Sequence, residues 1–426
     1  MERTLENSLS CARQLDDADP LRKFRDHFHF PNLNGKEVIY FTGNSLGLFP
    51  KKAHSYVDQE FLDWKTLAVE AHLKAKNPWF YYHHFCEQAL AKIVGGNKEE
   101  VVAMGSLTSN LHLLMVSFYQ PKKNRFKIIM EANAFPSDQY AVESQVRYHG
   151  YDPDEAIIVI KPREGEHIIR TEDIVQVIDK NSEQLSTIMF GGVNYLTGQL
   201  FDMKTIAEAG HNAGAYVGFD LAHAIGNVPL LLHDWNVDFA CWCSYKYLNS
   251  GPGGVAGVFV HEKHGSDKSL PRFAGWWGNE EETRFQMKKK FSPQFGAAGW
   301  QLSNAPVFAM AIHRASLEIF DEAGIKNLRT KSEALTGYLE FVINEYNNRN
   351  PSAELKIITP ANTFERGCQL SMIAASDGQR IFNLLTASGV MADWREPNVI
   401  RMAPVPLYNT FEEVWRLGQI LNFSQS

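Results

Sequence analysis

Short apolar runs rich in β-branched and aromatic residues recur through the middle of the chain. They are FKIIMEA at 126–132, STIMFGGV at 186–193, AYVGFD at 215–220, VDFACWC at 237–243 and VAGVFV at 255–260. Runs of this length without regular polar alternation predict strands buried on both faces. Between them lie longer stretches of helical period, such as DMKTIAEAGHNAG, where Gly214 supplies a C-terminal stop. Strands alternating with helices predict an α/β fold, a large domain with a mostly parallel sheet flanked by helices. After about residue 300 the rhythm changes. Helical patterns run from about 305 to 347, LKIIT and CQLSMI follow as strands, and helices near 378–388 and at FEEVWRLGQILN close the chain. This rhythm predicts a smaller α+β C-terminal domain. The expected division is an N-terminal segment at 1–60 associated with the small domain, a large domain at 61–300 and a small domain at 301–426.

Composition then narrows the class. The chain has 426 residues, is 44% hydrophobic and has a mean hydropathy of -0.28, enough for two packed cores. A net charge of -7 provides no basic field for nucleic acid or an anionic membrane. The run Lys288, Lys289, Lys290 is short and reads as a solvated face. The first twenty residues lack an apolar signal core, and no stretch approaches the roughly 20 apolar residues of a membrane span. Five cysteines, an odd number, read as reduced thiols of a cytoplasmic protein. Cys241 and Cys243 alternate along a strand and read as small core residues. His83 and His84 are adjacent, so they face different directions and shared metal ligation is not expected.

Lys246 follows the strand VDFACWC and precedes the glycine-rich turn Gly251–Gly254. Alone, it reads as a surface lysine before a turn. Upstream, however, the strand AYVGFD ends in Asp220, and an acid at a buried strand end needs a cation beside it. A helix N-cap or a metal ligand would also explain that acid. A protonated pyridine nitrogen is another such cation, and pyridoxal 5'-phosphate (PLP) works as an electron sink only with that nitrogen protonated. Strand–Asp followed by strand–Lys is the order used by PLP enzymes of the aspartate-aminotransferase fold. Gly105 to Asn110 then lead into the apolar helical run LHLLMVSF, offering backbone N–H groups and hydroxyls to a phosphate.

The motifs FTGNSLGL, SLTSNLHLLM, EANAFPSDQYAVESQ, YVGFDLAHAIGNVPL, HDWNVDFACWCSYKYLNSGPGG, GWWGN, SNAP and IRMAPVPLYN together resemble the kynureninases over essentially the whole chain. The resemblance implies a homodimer of fold-type-I PLP subunits with active sites at the dimer interface. It implies hydrolysis of L-kynurenine or 3-hydroxy-L-kynurenine to L-alanine plus anthranilate or 3-hydroxyanthranilate, within tryptophan catabolism or NAD biosynthesis. By the same resemblance Lys246 carries the cofactor and takes the α-proton, and Asp220 faces the pyridine nitrogen. Phe135, Pro136, Ser137 and Asp138 border the ring, Leu107 and Thr108 bind the phosphate, and His223 belongs to that pocket. Tyr245 is a phosphate ligand and acid/base candidate. Trp276 and Asn304 reach in from the partner subunit. Ser45, His72, Trp277 and Asn304 belong to the substrate pocket, and Arg401 holds the substrate α-carboxylate. His72 and Asn304 resemble the pair found in forms preferring the hydroxylated substrate. Two departures stand out: Gly191 occupies a position where many members carry serine, and Trp277 one where some carry phenylalanine. The rival readings are a cysteine desulfurase or class V aminotransferase of the same fold, and a PLP-binding regulatory protein without turnover.

Overall fold

The computed structural model describes residues 5–423. Seven strands form its central sheet: β1 (Val101–Ala103), β2 (Lys127–Glu131), β3 (Ile157–Ile160), β4 (Leu185–Gly191), β5 (Tyr216–Asp220), β6 (Phe239–Trp242) and β7 (Gly257–Val260). Their spatial order is β1-β7-β6-β5-β4-β2-β3. Pairing is parallel from β6 through β5, β4 and β2 to β3, whereas β7 runs antiparallel to both β6 and β1. Alternate strand residues face opposite cores. Ile188, Phe190, Val217 and Phe219 join one buried cluster, and Ile128, Met130, Met189 and Cys241 join another. Helices cover both faces, which is why these strands read as continuous apolar runs.

Among the helices are α1 (Leu9–Asp17), α2 (His84–Val94), α3 (Leu107–Phe118), α4 (Pro136–Tyr148), α5 (Val307–Ala323), α6 (Ile325–Arg349) and α7 (Phe411–Phe423). The helical patterns expected from about 305 to 347 form two helices, divided at Gly324, whose φ is +74°. Only a residue tolerant of positive φ makes that break cheaply. Four further strands, β8 (Leu355–Ile357), β9 (Leu370–Ala374), β10 (Asp393–Arg395) and β11 (Val399–Met402), form an antiparallel sheet in the order β8-β9-β11-β10. Against it α6 and α7 bury Leu339, Val342, Val414 and Leu417.

The N-terminal chain is stitched into this second layer. Ala12 of α1 sits in the same core, and the buried Asp16 carboxylate accepts the first N–H groups of α7, Phe411 at 2.7 Å and Glu412 at 2.9 Å. An anion there satisfies donors that the helix itself cannot. Residues Ile39–Tyr40 then pair in parallel with Val390–Met391. The chain next turns toward the large sheet, where the Gly47 N–H donates to the Tyr245 carbonyl at 2.8 Å.

That contact demands glycine. A Cβ on Gly47 would lie 2.3 Å from both the Lys246 carbonyl and Asn249 Oδ1, which belong to the turn after β6. Gly47→Ala is therefore expected to destabilise the protein by about 1–3 kcal/mol through overpacking. A denaturant melt checks this, and an unchanged midpoint at unchanged slope would contradict it.

Candidate active site

The parallel strands deliver their carboxyl ends to one edge of the sheet, the usual place for a ligand crevice in such folds. Glu131 ends β2, Gly191 ends the neighbouring β4, and Asp220 ends β5 beside it. There a cavity of about 280 Å³ opens. Of the site residues expected from sequence, Leu107, Thr108, Phe135, Ser137, Asp138, Asp220, His223, Tyr245 and Lys246 all line it. Pro136 does not; it occupies the first turn of α4, where its missing N–H costs nothing.

Lys246 is buried, and its Nζ lies 3.0 Å from His223 Nε2 and 5.6 Å from the centroid of the Phe135 ring. Burial, aided by the positive charges of Lys246 and Arg401, pushes the His223 imidazole well below its usual range. It is therefore neutral, with Nε2 accepting from the lysine. Its Nδ1 is buried without a partner.

Opposite the lysine stand the acids. Asp220 Oδ1 accepts the Ala222 N–H at 2.7 Å, and the Asp138 and Asp220 carboxyls hydrogen-bond each other. Burial raises both, and the neighbouring Asp220 charge drives Asp138 well upward, so the pair shares a proton. Glu131 is a third acid, which its place in the sequence did not single out. Burial pushes it up to about 7. Its Oε1 accepts the Gly191 N–H at 3.0 Å, and its Oε2 is buried without a partner. The departure at Gly191 thus has a local counterpart: a Cβ there would stand 2.9 Å from Glu131 Oε1, where the carboxyl now sits.

The opening of α3 forms the anion end of the cavity. The turn expected from Gly105 to Asn110 divides its labour. Ser109 Oγ accepts the Ser106 N–H at 3.0 Å, and the buried Asn110 side chain donates to the Met104 carbonyl at 2.8 Å, so both hold the turn itself. Ser106, Leu107 and Thr108 are left facing the cavity, joined by Gly253 and Gly254 from the turn beyond Lys246. Free N–H groups at the start of a 12-residue helix suit a phosphate. Paired buried acids, a buried lysine lining the same cavity, an aromatic face and an anion end fit PLP in all four of its recognition elements.

Two expectations need correction, and the expected substrate residues sit outside the cavity. β6 stops at Trp242, so Cys243 is not a core strand residue: it lines the cavity, and its side chain hydrogen-bonds Tyr245, while Cys241 stays in the core. His83 and His84 do not point apart, since their ring centroids lie 4.1 Å from each other. Cβ directions that diverge along a helix do not keep two imidazoles from leaning together. The expected substrate residues, finally, do not line this cavity. Arg401 is buried beneath it, donating to the Tyr195 carbonyl at 2.5 Å and to the Asp393 carboxylate, with its Nε unpartnered. Ser45 Oγ donates to the same Asp393 oxygen at 2.6 Å. Tyr195, a cavity residue missed in the sequence, connects the two places: its ring meets Phe135 edge-on at 5.2 Å and faces Arg401 at 5.8 Å. His72 stacks on Phe80 at 4.8 Å, and Phe80 lies 5.7 Å from the buried Trp277. Trp276 and Asn304 are exposed.

The comparisons with known proteins agree with this chemistry. The family model described as the kynureninase C-terminal domain matches residues 328–421, and that of the DegT/DnrJ/EryC1/StrS aminotransferase family matches 77–229. A kynureninase of Flavobacterium psychrophilum is 56% identical over 416 residues, covering 98% of both chains. One of Nematostella vectensis is 47% identical, covering 97% of this chain and 93% of its own. Among solved structures, a cysteine desulfurase from Thermococcus onnurineus NA1 superposes with a TM-score of 0.75 at 16% identity, covering 91% of this chain and 95% of that one. A C-DES variant with glycine covalently linked to its PLP cofactor gives a TM-score of 0.73 at 14% identity, covering 90% and 96%. These structural likenesses establish the fold-type-I architecture.

Glu131 generates a pH prediction for the ligand-free protein. Unfolded, its carboxyl titrates near 4.5, and folded at about 7. Between these values the folded state holds a proton that the unfolded state has released, so stability falls as pH rises through the window. The penalty reaches about 3 kcal/mol above pH 7. Relative to Glu131→Gln, the wild type should lose stability between about pH 5 and 8 in denaturant melts. A difference independent of pH would contradict the assignment.

Proposed function

The chain belongs to the kynureninase family, and we propose that the cavity beneath Lys246, with Arg401 and the aromatic wall around His72, is its active site. The reaction is hydrolysis of the Cβ–Cγ bond of L-kynurenine or 3-hydroxy-L-kynurenine, giving L-alanine and anthranilate or 3-hydroxyanthranilate, with PLP as cofactor. The observation carrying the site assignment is Lys246 Nζ lying 5.6 Å from the Phe135 ring in a cavity that the hydrogen-bonded Asp138–Asp220 pair also lines.

Bound PLP supplies an electron sink for the charge left at Cα and then at Cβ. Lys246 holds the cofactor and, displaced by the substrate amine, takes the α-proton. Asp220 keeps a proton on the pyridine nitrogen, and the protonated Asp138 donates to Asp220, fixing the direction of that carboxylate. His223 stays neutral and accepts from the lysine, so it does not compete for the same proton. Tyr245, whose phenol burial holds protonated, moves protons during hydration of the γ-carbonyl and release of the aryl carboxylate. Arg401 binds the substrate α-carboxylate, oriented by Asp393 and the Tyr195 carbonyl. Leu107 and Thr108 hold the phosphate.

A desulfurase needs a reactive thiolate, and burial raises the thiol of the cavity-lining Cys243. Cys368 is completely buried, and burial pushes its thiol up to about 12. The working unit is a homodimer. Phe61, Trp64, Leu73, Phe85, Trp276 and Phe295 expose large apolar surface over two chain segments, as an interface between copies requires. Trp276 and Asn304, exposed on their own subunit, then complete the partner's site. A monomeric mass in light scattering would contradict this. The small domain takes α1 with it, since Ala12 joins its core, whereas Leu21, Phe24 and Phe28 and the α5 residues Met310, Leu317 and Phe320 pack in the core of the large sheet, so its boundary falls after α5 rather than near 301. Five free thiols suit the cytoplasm; among the described residues no helix is long and apolar enough to cross a membrane.

Three measurements test the reading. The loaded enzyme mixed with L-kynurenine should release fluorescent anthranilate and alanine, and Tyr245→Phe should lower kcat by about 10²–10⁴. Asp393→Asn should raise KM more than it lowers kcat, because Arg401 loses its orienting partner; a fall in kcat alone would contradict its role. His72 and Asn304 favour 3-hydroxykynurenine. A preference of about tenfold or more for plain kynurenine, roughly 1.4 kcal/mol in transition-state binding, would overturn that choice.

A further inference from the structure

The first turn of α2 gathers ligand-type side chains outside the cavity. His83 caps this helix, His84 is its first residue, and Glu87 is an acid of its first turn. Residues three and four apart share a helix face, so Glu87 stands over both histidines. One ring nitrogen from each histidine and one Glu87 oxygen all lie within 4.8 Å of one another. From the segment opposite, Glu281 Oε2 reaches 3.1 Å from His84 Nε2 and 4.0 Å from His83 Nε2.

The state of His83 separates this group from an ordinary surface ion-pair cluster. Its side chain is completely buried, and neither of its ring nitrogens has a partner. An imidazole left in that state costs about 1–3 kcal/mol in unsatisfied polar groups. A neutral imidazole with an unused lone pair is the form that binds a metal ion. Nothing in the catalytic reading uses it.

We propose that His83, His84 and Glu87 bind a divalent transition-metal ion, with Glu281 in reach as a fourth ligand. Two imidazoles and two carboxylates match the four-coordinate N/O sites that Zn²⁺ occupies. The ion takes one nitrogen of His84, and the other nitrogen keeps a carboxylate partner, which fixes the ring. The role is structural. Glu281 opens the turn Glu281–Gln286, whose Phe285 packs on Phe80 at 5.0 Å and on Trp276 at 5.5 Å. Bridging α2 to this turn would brace the aromatic wall beside His72.

Loaded enzyme freed of metal with a chelator can be titrated with Zn²⁺ by calorimetry and with Co²⁺ by visible absorption. One equivalent per chain is expected, with affinity lowered roughly tenfold or more in Glu87→Gln and in His83→Gln. Glu87→Gln keeps the test valid if His83→Gln fails to fold. His233→Gln, which removes a ligand from a second cluster formed by Glu100, His233 and His261, should leave binding unchanged. No stoichiometric binding by the wild type would overturn the proposal, as would equal binding by Glu87→Gln or loss only in His233→Gln.

Discussion

Asp138, Asp220 and Glu131 end up buried in the wall of one cavity, and carboxyl groups so close and so buried cannot all ionise. The nearest fixed cation is Lys246, whose partner His223 is held neutral by burial and by the lysine's own charge. In the ligand-free state the acids respond by keeping protons, Asp138 most strongly. Lys246, Asp138 and Asp220 would hold a cationic pyridine ring, whose charge would relieve that frustration and so contribute to its binding. The surrounding fold keeps this arrangement in place. Parallel strands put the acids on one edge, α3 opens toward the phosphate end, and Gly47 presses the N-terminal chain against the turn that carries Lys246.

The same constraint links the two layers of the molecule. Arg401 lies on β11 of the second sheet, yet its guanidinium donates to the carbonyl of Tyr195, a residue of the cavity wall. Asp393 on β10 and Ser45 from the N-terminal segment complete that network. The proposed α-carboxylate anchor and the proposed proton-transfer groups thus come from separate sheets, with one tyrosine between them. Precise placement across such a joint depends on packing on both sides.

What could be read from the sequence depends on how local each signal is. Asp220 and Lys246 stood out in the sequence because Asp220 ends one buried strand and Lys246 sits in the turn after the next, and β2 and β4 to β7 were legible because burial on both faces leaves continuous apolar runs. The helix break at Gly324 was not seen, since helical period continues on either side of it. Glu131, Tyr195 and Asp393 were missed for a different reason: each gains its role from a neighbour far away in the chain, Gly191, Phe135 with Arg401, and Ser45 with Arg401. Ser109 and Asn110 looked like phosphate ligands, but their side chains are spent on their own turn. His83 and His84 were misjudged because Cβ directions were taken for ring positions.

Lys246 as the cofactor's anchor is the claim on which the rest of the chemistry stands. Borohydride reduction of the loaded enzyme, followed by mass mapping of its peptides, tests it directly. The reduced pyridoxyl group should appear on the peptide containing Lys246 and be absent from it in Lys246→Ala. Stoichiometric labelling of any other lysine in the wild type, or full turnover by Lys246→Ala, would contradict the account.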